Sequence, residues 1–468
     1  MRRLTLIVLI VAAVFAVSIP VPVRAQVDGY HMTGINFNFT NPGARARGIG
    51  GAFVALADDA TAGIANPAGL AFLDRQFTIE FMRDQEKAPV GQVTQGGMAV
   101  DGANLDWSFT ALNDPFRVEA ESTTNRINHA SLVFPIPKAH LGLAVYYASL
   151  ADLEQDYEVG SGLMCLDNGS PYLPGEGGGC GSLSQDFGIL YSPFDVTARL
   201  QSELIGVGLG WALGDALAIG ASVSYATTTL TGRSDTIGIQ DSGGSSIAPP
   251  GSYASSVDDN AVMYSIGLLY RGNLVGFGIN YRSETNFNIE NQVFVGDETT
   301  PFREFTGEFR IPERIAAGLS FFPGDTWVIA AEYVRIPYST MPKGMSEQFD
   351  DTRQDFGVTY ASADVNEFHL GGEYTTFSGK KGWSIRAGYW REQTHLIYSS
   401  QGYNDPIQDP VVDRFLSGAA LLYQELDTNY DHFTVGFGAA FGIFRLDAAA
   451  DFSNDAGTDF LISGVFYF

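Results

Sequence analysis

Residues 205–225 read IGVGLGWALGDALAIGASVSY, and this stretch decides the fold. Large apolar side chains alternate first with glycine and then with alanine, glycine or serine, on either side of Gly214-Asp215. Strict alternation predicts β-strands with one apolar face and one small or polar face. Glycine and aspartate are typical turn residues. The stretch therefore predicts an antiparallel hairpin with one face turned towards an apolar environment.

The same pattern recurs along most of the chain. Alternating runs also span 383–389, 433–441, 446–452 and 460–468. Tight turns at Gly272-Asn273, Pro323-Gly324-Asp325 and 378–381 alternate with long polar segments near 232–258, 289–302, 339–363 and 396–429. Short turns at one end and long loops at the other are typical of transmembrane barrels. We predict an all-β barrel of about 14 antiparallel strands, or about 16 if residues 90–112 add a hairpin at Asp101-Gly102.

Both ends of the chain point to the outer membrane of a Gram-negative cell. Arg2 and Arg3 precede an apolar stretch from Leu4 to Val17, and Val23 and Ala25 occupy the small-residue positions before Gln26, which predicts a signal peptide over residues 1–25. At the other end, alternating aromatic residues lead to a terminal Phe468, which resembles the signal recognised by the barrel-assembly machinery. We therefore expect residues 75–468 to form the barrel, with this machinery and outer-membrane lipids as partners.

Composition excludes several other classes of protein. Only 17% of the residues are charged, against about 25% in an average soluble protein. The net charge of −26 excludes nucleic acid as a partner, because phosphate binding needs clusters of Lys and Arg. No catalytic motif occurs, so we expect no enzyme activity and no cofactor. His369, Glu367 and Glu373 are interpreted as a hydrated cluster in the lumen rather than a metal site, and Arg445, Asp447 and Asp451 as an ion-pair network in the lumen.

Two cysteines, Cys165 and Cys180, enclose a glycine-rich stretch. In an oxidising compartment they predict one local disulfide. In the predicted topology it lies in an extracellular loop.

Residues 43–75 read GARARGIGGAFVALADDATAGIANPAGLAFLDR and do not alternate like a strand. The stretch is rich in glycine and alanine, which permit close packing, and Pro67 restricts the backbone of one turn. A compact apolar segment has no place on the outside of a barrel. We predict that residues 26–74 form a hatch inside the lumen.

This stretch resembles the N-terminal hatch of the FadL-type family of long-chain fatty-acid channels. The resemblance lies in a glycine–alanine run, the acidic pair Asp58-Asp59, the triplet Asn66-Pro67-Ala68 and the ending Asp74-Arg75. Residues 311–333, IPERIAAGLSFFPGDTWVIAAEY, look similar as well. The resemblance implies a barrel of fourteen strands and passive uptake of hydrophobic small molecules, such as long-chain fatty acids or related apolar compounds, through a channel gated by the hatch.

In that case a hydrophobic ligand is the partner, and certain hatch residues line or gate its path. These candidates are Phe53, Leu56, Asn66, Pro67, Ala68, Leu70 and Phe72. The same motif, with NPAGLA in full, also looks like the PorV-type barrels that carry cargo in a protein-secretion system. Both functions, together with an outer-membrane phospholipase as a more distant third, remain open from the sequence.

Overall fold

Fourteen antiparallel strands close into a single barrel in the computed structural model. The described residues are 37–93, 116–159, 162–167, 170–172, 186–191, 194–236, 239–240, 246–248, 251–295, 300–301, 303–341, 360–379, 381–395, 397–399, 429–454 and 457–468. The strands are β1 (Gln76–Val93), β2 (Phe116–Ile136), β3 (Leu141–Val159), β4 (Gly162–Asp167), β5 (Ser170–Tyr172), β6 (Asp186–Tyr191), β7 (Phe194–Ala212), β8 (Leu217–Thr236), β9 (Ile239–Gln240), β10 (Ser246–Ala248), β11 (Gly251–Arg271), β12 (Val275–Arg282), β13 (Thr285–Val295), β14 (Arg303–Ile311), β15 (Arg314–Phe321), β16 (Trp327–Ile336), β17 (Tyr360–Ala361), β18 (Val365–Ser378), β19 (Lys381–Gln393), β20 (Tyr398–Ser399), β21 (Asn429–Phe441), β22 (Phe444–Ser453) and β23 (Thr458–Tyr467).

The closed ring contains β1–β3, β7, β8, β11, β12, β15, β16, β18, β19 and β21–β23. Each strand pairs with its neighbour along the chain, and the last strand, β23, closes the ring against β1. The pair β13 and β14 continues β12 and β15 beyond the ring. The lower of the two predicted strand counts is therefore confirmed. Of the predicted extra hairpin, residues 90–93 belong to β1, and residues 94–115 lie outside the described residues.

The short turns all lie at one end of the barrel. The connections at 137–140, 213–216, 272–274, 322–326, 379–380 and 442–443 share that end with the start of β1 and with Phe468. The predicted tight turns are thus confirmed. The loop predicted over residues 232–258 is too long. The structure keeps β8 and β11 paired as far as Thr236 and Gly251. The predicted loop over 289–302 likewise begins inside β13.

The outer surface of the barrel is apolar, and the inner surface carries small and polar residues. Val207, Leu209 and Trp211 are each more than two-fifths exposed, whereas the glycines between them are buried. Phe460, Ile462 and Phe466 face outwards in the same way on β23. An apolar belt around a closed antiparallel barrel is the architecture of outer-membrane proteins. Separately, the described residues contain no helix long and apolar enough to cross a membrane.

Residues 37–73 lie inside this barrel and are named the luminal segment below. The segment contains helix α1 (Ala44–Gly48), helix α2 (Ala62–Ala65) and a 3-10 helix (Pro67–Phe72). The 3-10 helix packs against β7, β8 and β11, and α1 packs against β21 and β22. Two further 3-10 helices, Pro137–Ala139 and Tyr338–Thr340, belong to the connections of the wall.

Three sequence predictions fall wholly or partly outside the described residues. The signal peptide and the first part of the predicted hatch lie in residues 1–36. Cys165 lies in β4, but Cys180 is outside the described part of the chain. The signal peptide, the hatch boundaries and the disulfide stay predictions.

Candidate functional site

The Asn66-Pro67 pair ties the luminal segment to the wall. Asn66 is fully buried, and its Oδ1 accepts a hydrogen bond from the Ala68 amide at 3.2 Å. Its Nδ2 donates to the carbonyls of Val54 at 2.9 Å and of Leu268 on β11 at 3.0 Å. Pro67 begins the 3-10 helix, where its missing N–H costs nothing. One side chain therefore caps a helix, links two parts of the segment and bonds to the barrel.

Wall glycines let the backbone of the segment approach the strands closely. A Cβ at Gly220 would lie 2.3 Å from the Ala68 nitrogen, and a Cβ at Gly267 would lie 2.0 Å from Asn66 Oδ1. Both distances are far below van der Waals contact. The small-residue face that the sequence placed on the inside of the strands is thus the surface on which the segment rests.

The seven residues predicted to line or gate a path lie in the packed part of the segment. Six of them are buried and Phe72 is half-buried: Phe53, Leu56, Asn66, Pro67, Ala68, Leu70 and Phe72. None of them lines the cavity described below. Their position favours anchoring of the segment over ligand contact, and their role in gating stays a prediction.

Glu332 on β16 is the most connected wall residue beneath the segment. Its Oε2 accepts hydrogen bonds from the amides of Phe53 and Val54, each at 2.8 Å. Its Oε1 accepts from Arg314 at 2.8 Å and from Asn41 Nδ2 at 3.0 Å. The side chain is 1% exposed. Sequence reasoning missed this residue, although a single carboxylate on the otherwise apolar inward face of β16 was a usable signal.

A second ionic network joins the other side of the segment to the wall and contains Arg445 and Asp447, two of the three residues that the sequence predicted for it. The third, Asp451, binds Arg47 and His432 instead. Arg445 reaches Asp447 at 2.6 Å and Asp59 of the segment at 2.7 Å. Glu373 and Asp58 both bind Arg45 of helix α1. Arg386 bonds to Glu373 and lies 2.8 Å from Asp447. The acidic pair of the hatch motif is therefore held by arginines.

Asp59 should make the docking of the segment depend on pH. Burial by itself raises the pKa of Asp59, but Arg445 and Arg45 outweigh it and hold the pKa below its usual range. A lowered folded-state pKa gives a stabilisation that is complete above the unfolded pKa, near about 4, and is lost as the pH falls further. We expect Asp59→Asn to lower the free energy of unfolding by about 1 kcal/mol at neutral pH, since the amide keeps an acceptor oxygen. Thermal unfolding at several pH values checks this: the gap between the two proteins should close in acid, and a constant gap would contradict the assignment.

A cavity of about 80 Å³ lies above the segment, on the side away from the short turns. Its lining comes from the segment, from two connections of the wall and from the adjacent strands β18, β19, β21–β23 and β1–β3: Phe37, Asn38, Phe39, Thr40, Arg47, Met82, Asp84, Glu86, Arg126, Ala151, Asp152, Leu153, Tyr338, Glu367, Trp390, Glu392, His432, Asp451, Gly457 and Asp459. Pockets for small molecules usually measure about 300 Å³ or more. A ligand of ordinary size therefore needs part of the lining to move.

Phe37 and Phe39 are the part of the lining that also belongs to a buried apolar cluster in the lumen. They are 3% and 4% exposed and pack within one cluster that includes Leu153, Phe287, Phe309 and Tyr338. The rings of Phe37 and Phe309 lie 6.0 Å apart, and those of Phe39 and Tyr338 lie 5.9 Å apart. We call this cluster the apolar chamber. Two side chains of the segment occupy the space that an apolar ligand would need.

The wall beside these two phenylalanines is interrupted. The pairing of β2 with β3 extends only from Ile136/Leu141 to His129/Ala148, although both strands continue well beyond that point. Asn38 lies in the interruption, where its amide donates to Leu150 O at 2.7 Å and its Nδ2 donates to Asn128 Oδ1 at 3.0 Å. The start of the segment thus closes a window in the barrel wall.

Comparison with solved structures places this arrangement in a known fold. A FadL homologue from Pseudomonas aeruginosa matches over 93% of this chain and 99% of its own, with a TM-score of 0.54 and 12% identity. The CymD monoaromatic hydrocarbon channel and the P. putida toluene transporter TodX each match over 92% of this chain and 99% of their own, with TM-scores of 0.53 and 0.54 and 16% identity. The protein has the FadL-type fold. No family model and no curated protein sequence matches the chain.

Within this FadL-type fold, the sequence indicated which stretch forms the segment but not which aromatic residues line the cavity. The motif around Asn66 and part of the arginine–carboxylate network were visible in the sequence, and the structure places them on different sides of the segment. Phe37, Phe39 and Trp390 carried no signal, because isolated aromatic residues are common on both faces of a barrel strand or segment. At identities of 12–16% the comparison establishes the fold and leaves the substrate to be argued from the lumen.

Proposed function

We propose that the protein is an outer-membrane channel for passive uptake of apolar small molecules, gated by the luminal segment. The observation that carries the proposal is the window between β2 and β3, closed by residues that also fill the apolar chamber. The structural neighbours named for hydrocarbon and toluene transport support the same class of cargo.

A ligand could leave by two routes, and these differ greatly in the free energy of the interactions that must be broken. An exit towards the short turns requires loss of the bonds to Glu332 and of the buried arginine–carboxylate network. Removing one partner of a buried ion pair alone costs about 3–5 kcal/mol. An exit through the window requires withdrawal of residues 37–40, where two hydrogen bonds from Asn38 are worth about 0.5–1.5 kcal/mol each. The lateral route therefore governs release.

Ligand binding supplies the rest of the free energy that withdrawal of residues 37–40 requires. Withdrawal of Phe37 and Phe39 exposes two aromatic side chains, at about 1.5–3 kcal/mol each. An apolar molecule that enters the chamber in their place restores the same burial. The open state is thus favoured only when a ligand is present, as expected for a population shift driven by differential binding. Long-chain fatty acids and small hydrocarbons both satisfy this requirement.

A covalent lock across the window tests the proposal. In a background with Cys165 and Cys180 replaced by serine, Asn38→Cys/Asn128→Cys would be joined by a short, reducible thiol crosslinker. We expect uptake of radiolabelled toluene and palmitate by cells to fall to the level of cells that lack the protein, and to recover on reduction. Both residues face each other at 3.0 Å, so the crosslink spans the window directly.

The matched control is Thr375→Cys/Ser384→Cys, which joins two wall strands, β18 and β19, outside the apolar chamber and the cavity, where the two side chains meet at 2.8 Å. This crosslink should leave uptake unchanged. Normal uptake through the locked window would rule out the lateral gate. Absence of uptake in every assembled variant, with a cargo protein co-purifying in place of an apolar molecule, would instead favour the secretion role.

A further inference from the structure

Arg282, at the end of β12, is a buried cation whose charge no carboxylate compensates. It is 6% exposed, and its Nε and Nη2 have no hydrogen-bond partner in the part of the chain that the structure describes. The titratable groups near enough to act on its charge are Arg314, Tyr146 and Tyr338. A buried charge is costly unless it is paired. Arg282 therefore lacks a partner that a ligand can supply.

A neighbouring cation increases this imbalance. Arg314 is paired with Arg282 in the ladder of β12 and β15 and is 3% exposed. Its Nη2 donates to Glu332 at 2.8 Å, but its Nε has no partner among the described residues. Glu332 also accepts from Asn41 and from two amides of the luminal segment, so its oxygens are fully used. Two buried arginines thus share one carboxylate, and each keeps N–H groups for an incoming acceptor.

The flat face of the Arg282 guanidinium lies against the apolar chamber. Its Cζ is 4.8 Å from the centre of the Phe39 ring. A guanidinium over an aromatic ring is attracted by the π-system of that ring. Phe39 is one of the two side chains that the proposed opening withdraws, so an arriving ligand meets a guanidinium face that has lost its ring. A ligand with an aromatic ring restores this contact, and an aliphatic body of the same size does not.

The site around Arg282 is separate from the acidic cavity. Arg282 does not line that cavity, and none of the carboxylates of the cavity is among the groups near it. The wall beside it is also interrupted. On the side of β12 and β13, residues 257–263 of β11 make no backbone pairs with the described residues, and Asp259 instead accepts from Asn288 at 2.8 Å. This second interruption begins next to the pair of Ser265 and Arg282, and it offers an acidic ligand a way to the site that avoids the carboxylates of the cavity.

We propose that Arg282 binds the acidic group of an aromatic ligand, so that the preferred cargo is an apolar aromatic acid. The inference rests on the proposed uptake function and specifies its substrate class. The carboxylate would accept from the unbonded N–H groups of Arg282 and Arg314, because a planar guanidinium matches the geometry of a carboxylate. The ring would take the place of Phe39 on the guanidinium face. A few methylene groups between ring and acid let one molecule make both contacts.

Three ligands of similar size separate the contribution of the acid from that of the ring. Phenylbutyrate, phenylbutanol and cyclohexylbutyrate would be titrated near neutral pH into the full-length protein in nanodiscs of zwitterionic lipid. Empty nanodiscs correct for partition into the lipid. We expect phenylbutyrate to bind at least about tenfold more tightly than phenylbutanol, which lacks the charge, and at least about threefold more tightly than cyclohexylbutyrate, which lacks the π-system. This comparison needs no variant.

Arg282→Gln is the matched substitution, because it removes the charge and keeps a polar side chain. It should weaken phenylbutyrate binding by at least about tenfold, abolish the preference over cyclohexylbutyrate and leave phenylbutanol binding within about threefold. Arg335→Gln, the same change at a half-exposed side chain of β16, should alter none of these affinities. Equal or tighter binding of phenylbutanol or cyclohexylbutyrate, or an unchanged phenylbutyrate affinity in Arg282→Gln, would overturn the inference while leaving the uptake function intact. Failure of all three ligands to bind would overturn both.

Discussion

Replacing Glu332 with alanine is expected to release the luminal segment and leave the barrel assembled. The variant removes the common acceptor of two segment amides, Phe53 and Val54, and the partner of Arg314. These groups are buried, so water cannot replace the lost bonds while the segment stays docked. Breaking a buried ion pair from one side costs about 3–5 kcal/mol, and each orphaned amide adds to that cost. A loss of docking free energy of this size is enough to favour the undocked state of the segment.

The measurement is single-channel conductance in planar bilayers, with heat-modifiable gel mobility as the readout of barrel assembly. The wild type should be closed to ions, and Glu332→Ala should show open levels at unchanged mobility. Glu332→Gln is the control, because its amide oxygen still accepts from the segment; it should open far less often. If the assembled Glu332→Ala protein shows no open conductance levels, the segment is held by its packing alone.

The barrel was predictable because most residues of a spanning strand face either lipid or lumen. Val207, for example, faces outwards and must be apolar, whereas Gly208 faces the lumen and must be small. The two environments therefore produce a sequence pattern with a period of two residues. The upper parts of the strands were not predictable in the same way. Residues 232–236 of β8 pair with β7 and β11, yet the sequence predicted them to be part of a polar loop. We attribute this to their position beyond the lipid, where no apolar face is required.

The site was predictable only where its chemistry is unusual for its position. Arginines and carboxylates inside a barrel are costly, so Arg445 and Asp447 could be assigned to one network from sequence alone. Phe39 is an ordinary residue that matters because of what surrounds it, including Arg282 lying 4.8 Å from its ring. Such contacts depend on how the segment threads through the lumen. No local pattern encodes that path.

The neighbouring glycines on β18 allow the sharpest test of how the segment is held. A Cβ at Gly371 would lie 2.1 Å from the carbonyl oxygen of Ile49, whereas a Cβ at Gly372 meets nothing nearer than 3.6 Å. The strand is fixed by pairing on both sides, so in Gly371→Ala the segment has to move away. Its neighbouring bond, from His369 Nδ1 to Gly50 O at 2.7 Å, would be stretched as well.

Overpacking of this kind costs about 1–3 kcal/mol, which corresponds to a shift of about 5- to 150-fold towards the undocked state. A reporter cysteine at Ala46, which is 1% exposed, would read that shift in a background without Cys165 and Cys180. We expect its reaction with a thiol reagent to be accelerated by this factor in Gly371→Ala and unchanged in Gly372→Ala. Both variants add one methyl group to the same strand at consecutive positions, so a general loss of strand stability would accelerate both. Equal rates in the two variants would mean that close backbone contact with the wall does not hold the segment in the lumen.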